Sequence, residues 1–66
     1  MPLTVIADVI RQWKSCNGGQ CPSFKDILAK IGGDPHDLKE ALDDAEKVQA
    51  IYEPSFGRYD IVPGMI

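Results

Sequence analysis

Sixty-six residues suffice for one domain and leave no room for a second. The chain is 44% apolar and 26% charged; that balance belongs to an ordinary globule and excludes a disordered tail. No apolar run approaches the ~20 residues of a membrane-spanning helix, and the N-terminus carries neither the basic region nor the long apolar stretch of a secretion signal. A cytoplasmic location is therefore the expectation.

The first helix is predicted over residues 4–16, with Thr4 as its cap. Val5, Ile6, Val9, Ile10 and Trp13 form an apolar stripe that Cys16 extends, and Asp8, Arg11, Gln12 and Lys14 take the other side. A stripe this wide reads as core support, with Trp13 inside. Asn17-Gly18-Gly19 stops the helix with residues that tolerate positive φ. Gln20-Cys21-Pro22 is predicted to be extended, because a residue before proline avoids the helical region.

The stretch from Ser23 to Ile51 holds the strongest local signals. Phe24, Ile27, Leu28 and Ile31 recur three and four apart, which predicts a helix over 23–32. Ser23 can cap it, and Asp26 completes a capping box with a shorter acid than usual. Gly32 and Gly33 can end it. Asp34 followed by Pro35 is a cap and a first-position proline, so a third helix is predicted over 35–50. Its apolar face is Leu38, Ala41, Leu42, Ala45 and Val48. Two short amphipathic helices joined by a glycine-containing turn make a helix-turn-helix.

After it, Ala50-Ile51-Tyr52-Glu53 and Arg58-Tyr59-Asp60-Ile61-Val62 read as two strands around the turn residues Pro54-Ser55-Phe56-Gly57, a hairpin over 50–62. In the second strand Tyr59 and Ile61 alternate with Arg58 and Asp60. Phe56 stands at the turn, where burial is difficult; it is either a contact residue or packed back on the domain. Pro63-Gly64 is a stop, and the end frays unless Met65 or Ile66 docks.

The net charge of −3 is unevenly placed. Between Pro35 and Ile51, Lys39 and Lys47 stand against Asp37, Glu40, Asp43, Asp44 and Glu46, which accounts for the whole excess. The remaining five acids are matched by Arg11, Lys14, Lys25, Lys30 and Arg58.

The helix-turn-helix stretch resembles the winged helix-turn-helix superfamily. The superfamily pattern runs approximately Ile-Ala-x-x-Leu-Gly-x-Ser-x-x-Thr-Val-x-x-x-Leu. This chain offers Ile27, Leu28, Ile31, Gly32, Asp34, Asp37, Leu38 and Leu42 at those places. Asp37 replaces a threonine that in the family often faces nucleic acid, and Gln49 stands where a glycine commonly precedes the wing. The order helix, short strand, helix, helix, strand, strand covers nearly the whole chain. The resemblance implies one domain over 1–66: α+β, mainly α, three helices with a C-terminal β-hairpin wing that pairs with the short segment at 20–22.

Few residues suggest chemistry. Cys16 and Cys21 flank a four-residue loop; they read first as free thiols, then as a disulfide, then as a metal site with His36 as third ligand. Zinc prefers four ligands in paired units, which the chain lacks. His36, in the first turn of the third helix, is either solvated or a direct contact to a partner. Ser23 and Ser55 read as cap and turn. Asp43 and Asp44 are adjacent and diverge from a helix, so they make no acid/base pair. The expectation is a protein that is not an enzyme and that needs no cofactor or metal.

The resemblance implies double-stranded DNA as partner, with the third helix in the major groove and the wing on the backbone. His36, Asp37, Lys39, Glu40 and Asp43 would face the target, with Arg58 on the wing and Lys25 or Lys30 at phosphates. A homodimer would pool the basic residues of two copies. The acidic helix supports the alternative, a protein-binding winged helix that meets a basic protein surface as adaptor, inhibitor or DNA mimic.

Overall fold

The computed structural model describes residues 2–64, so Met65 and Ile66, whose docking the sequence left open, lie outside the described residues. Three helices, α1 (Leu3–Cys16), α2 (Phe24–Ile31) and α3 (Pro35–Lys47), precede an antiparallel pair, β1 (Ile51–Ser55) and β2 (Arg58–Ile61). The arrangement is α+β, mainly helical, and winged-helix-turn-helix-like.

Local chemistry fixes the helix ends. Pro2, not Thr4, takes the cap position of α1 and makes no side-chain bond there; Thr4 lies inside the first turn. At the other end Gly18 adopts φ +66° and the Gly19 amide donates to the Lys14 carbonyl at 2.8 Å. The capping box of α2 forms as expected: the Asp26 amide donates to Ser23 Oγ at 3.3 Å and the Ser23 amide to Asp26 Oδ2 at 3.0 Å. The Ser23 amide, above all, holds the Asp26 carboxyl below the usual aspartate range. Asp34 accepts from the His36 amide at 2.8 Å, with Pro35 at the start of α3.

α3 stops at Lys47, three residues short of the expected 50. Gln49 takes φ +59°, the one non-glycine with positive φ among the described residues. Its amide donates to Glu46 O at 3.0 Å, and the Ala50 amide donates to Ala45 O at 2.9 Å. This is the paired closure that usually carries glycine at the left-handed position.

The buried core is Ile6 and Ile10 of α1, Ile27 of α2, Leu38, Leu42 and Ala45 of α3, and Ile51 of β1. Each large member contributes about 1.5–3 kcal/mol by leaving water. Phe24, Leu28, Ile31, Tyr59 and Ile61 pack around it half-buried. The α1 stripe is rotated from its expected position: Ala7 is buried, Val5 is 40% exposed, Cys16 is exposed, and Trp13 is half-buried outside the core cluster. Val48, placed on the buried face of the third helix, is 59% exposed just beyond its end.

The wing pairs Ile51 with Ile61, Tyr52 with Asp60 and Ser55 with Arg58. Between the last two pairs Glu53 and Pro54 stand opposite Tyr59 alone, a bulge. Proline is tolerated there because it has no N–H to lose from the ladder. The expected short third strand is reduced to one bridge, Ser23 with Arg58, reinforced by the Tyr59 amide donating to Pro22 O at 2.9 Å. That bridge ties the wing to the start of α2.

Candidate interaction surface on the third helix

α3 buries only Leu38, Leu42 and Ala45, with Ala41 half-buried. Successive residues turn about 100° around a helix, so this narrow face leaves two flanks and an outer crest. His36, Asp37, Lys39, Glu40 and Asp43 are all exposed, and they follow an arc of about 160° from one flank over the crest to the other.

One flank turns toward the wing. Lys39 Nζ lies 3.8 Å from Asp43 Oδ2. Glu46 belongs to the same flank: partial burial, then Glu53 of β1 and Asp43, push its carboxyl up, with Lys39 opposing. Burial also pushes the Tyr59 hydroxyl up, followed by the nearby carboxylates of Glu53, Glu46 and Asp43. The angle between α3 and the wing thus brings three carboxylates, Asp43, Glu46 and Glu53, close enough to act on one another and on Tyr59. The count of charges along the helix located the excess, but Glu46 and Glu53 were not among the expected site residues; no local spacing links residues 46 and 53 before the hairpin folds back.

The other flank faces α1. Asp37, Glu40 and Asp44 edge a groove of 470 Å³ with Leu3 and Ile6 on its far side. His36 sits toward the crest, where its Nε2 is 3.6 Å from Glu40 Oε1.

The remaining candidates are scattered. Arg58 is exposed, and its guanidinium donates to the Cys21 carbonyl at 2.6 Å, at the base of the wing. Lys25 and Lys30 are exposed on α2; five positions apart, they diverge by about 140° around its axis, so no single face presents both.

Cys16 and Cys21 are free. Cys21 lies beside a pair the sequence did not reveal, Lys14 with Asp60 at 2.9 Å. Burial and the Asp60 carboxylate push the Cys21 thiol up, against Lys14 and Arg58, which makes it a poor nucleophile. Among the described residues no three His, Cys, Asp or Glu side chains gather as a metal site, and no helix is long and apolar enough to cross a membrane. A larger hollow of 720 Å³ lies away from α3, between the end of α1 and the exit of β2. Two of its polar walls, Lys14 and Asp60, already satisfy each other.

Comparison with protein families, curated proteins and solved structures gives no match to this chain.

Proposed function

We propose that this chain is a small non-enzymatic regulator of the winged-helix type that binds double-stranded DNA through α3 and the wing. The observation that supports it is the display of α3: a helix capped by Asp34, held by three buried side chains, with the rest of its surface turned outward beside a tethered hairpin. A helix so presented fits the major groove, and the hairpin beside it fits the flanking backbone. Lys39 would donate to guanine, Asp43 and Glu40 would accept from cytosine amino groups, and His36 would reach a base edge from the first turn. Arg58 and Lys25 or Lys30 would supply phosphate contacts, more of them in a homodimer.

Charge limits the strength of such binding. Affinity for DNA comes largely from neutralised phosphates, and here Lys39 already has Asp43 at 3.8 Å, with Glu46 and Glu53 near each other on the same flank. Binding to random sequence is therefore expected to be weak and confined to low salt. Anisotropy of a labelled random duplex tests this. Micromolar, salt-sensitive binding is the expected result; a flat titration to high micromolar protein would refute it.

A second reading is favoured by the same acids. Carboxylates on both flanks of α3 suit a basic protein surface better than a polyanion. On that reading the duplex titration stays flat and a cationic partner takes the place of DNA.

A further inference from the structure

We propose that the groove between α1 and α3 is a docking site for a cationic amphipathic helix of a partner protein. The proposal goes beyond the DNA reading, whose surface is the crest and wing side of α3 and meets the groove only at Glu40, and it supplies the protein-binding reading with a definite site.

Three observations lead there. First, the groove is a built hollow of 470 Å³. Leu3 and Ile6 of α1 form one wall, and the small side chains of Ala41 and Ala45 leave its depth open. Val48, 59% exposed, extends the apolar surface at one end. Second, Asp37, Glu40 and Asp44 follow each other at three and four positions along α3, so they edge one side of the hollow over about 10 Å. Third, that edge is not internally neutralised. No lysine or arginine lines the groove. Among the described residues Asp37 and Asp44 have no ion-pair partner, and Glu40 has only the exposed His36.

The occupant follows from this chemistry. An apolar side chain must enter between Leu3 and Ala41, and positive charges must sit over the acidic edge. A helix with one or two leucine-like anchors, and Lys or Arg at the same three- and four-residue spacing, meets both demands at once. Nucleic acid and anionic lipid would be repelled by the edge.

The test uses the ¹⁵N-labelled full chain and a blocked amphipathic peptide of leucine and lysine only, titrated at low salt. The control is the matching leucine–glutamate peptide. Amide shifts are expected to concentrate at Leu3, Ile6, Asp37, Ala41, Asp44 and Val48. The triple variant Asp37→Asn, Glu40→Gln, Asp44→Asn should weaken binding roughly tenfold or more. Because carboxylates can also act at long range, Val48→Ser is the second variant; it should weaken binding a few-fold, since only a seated anchor feels an uncharged change.

Four results would overturn the proposal. Shifts could spread over the whole acidic surface; the variants could bind as the parent does; or the glutamate peptide could bind equally. Groove shifts that grow with protein concentration before any peptide is added would assign the hollow to a second copy instead. A duplex titrated into the same sample reports at Lys39, Asp43 and Arg58, so failure of the DNA reading and failure of this one leave different traces.

Discussion

The Lys14 ammonium meets the Asp60 carboxylate at 2.9 Å across 46 positions of sequence, fastening the last turns of α1 to β2. The two side chains are 32% and 15% exposed, so water screens the contact only in part. Burial alone would raise the Asp60 carboxyl; the hydrogen bonds from Lys14 and from the Ile61 amide outweigh it and hold the group below its usual range. A folded pKa below the unfolded one means stability that is present above the unfolded value and lost as pH falls through the folded value. Lys14 is shifted upward, chiefly by its bond to Asp60; its contribution persists below the unfolded lysine value and disappears as pH rises through the folded one. Asp60→Asn should therefore cost about 1–2 kcal/mol at neutral pH. The deficit should shrink in acid, where the parent carboxylate is protonated as well. Urea unfolding of both proteins at neutral and acid pH measures it, and an equal deficit at both would remove the ion pair from the account.

Gln49 holds the left-handed position that closes α3. A side chain there costs about 1–2 kcal/mol relative to glycine, and glycine returns about half of that gain through its freer unfolded chain. Gln49→Gly should then stabilise the fold by about 0.5–1 kcal/mol, whereas Gln49→Ala, which keeps the Cβ, should not. Urea midpoints of the three proteins, at constant slope, decide between them.

What the sequence exposed and what it hid follow from range. The Ser23–Asp26 box and the Asp34–Pro35 start are written within four residues, and both form as read. The hairpin was legible because its alternation and turn residues are contiguous. Periodicity along α1 found an apolar side but not its exact rotation, because Ala7 is too small to mark the stripe and Val5 too apolar to be left off it. Trp13 falls on the apolar stripe and so read as core, yet the packed cluster closes at Ile10 without it. The helix end at Lys47 was missed because glutamine does not advertise a left-handed turn. Most important for the site, the sequence located the acidic excess on α3, but only the positions of α1 and the wing divide it into two flanks.

That division makes Glu46 informative. Partial burial, with Glu53 and Asp43 nearby, raises its carboxyl. The folded state holds this proton more tightly than the unfolded chain does, so stability from it is present at low pH and lost as pH rises through the folded value. Glu46→Gln should consequently stabilise the protein at neutral pH by up to about 0.5 kcal/mol, the upper part of the range being lost to solvent screening, with no gain in acid. The same change removes one negative charge from the angle between α3 and the wing. If DNA is the ligand, duplex affinity should rise about two- to fivefold at low salt; a basic helix seated in the groove on the other flank, which Glu46 does not line, should bind the variant nearly as it binds the parent. Paired titrations of parent and variant therefore separate the two readings.

Phe56 offers the cleanest separation of folding from contact. It stands at the tip of the wing, 102% exposed, while the neighbouring Gly57 takes φ +77° and donates its amide to Glu53 Oε2 at 3.1 Å. Gly57 and Glu53 set the turn, and the ring touches nothing that holds it. Replacing Phe56 by Ser should change stability by less than about 0.5 kcal/mol. A phenyl ring that is fully wet in the free protein has all of its area left to bury against a partner, and an aromatic contact of this kind is worth about 1 kcal/mol or more. Phe56→Ser should thus weaken binding to whichever ligand the wing touches by roughly fivefold or more, against an unchanged unfolding midpoint. Equal affinity of the two proteins would restrict the contact surface to α3, with the tip of the wing outside it.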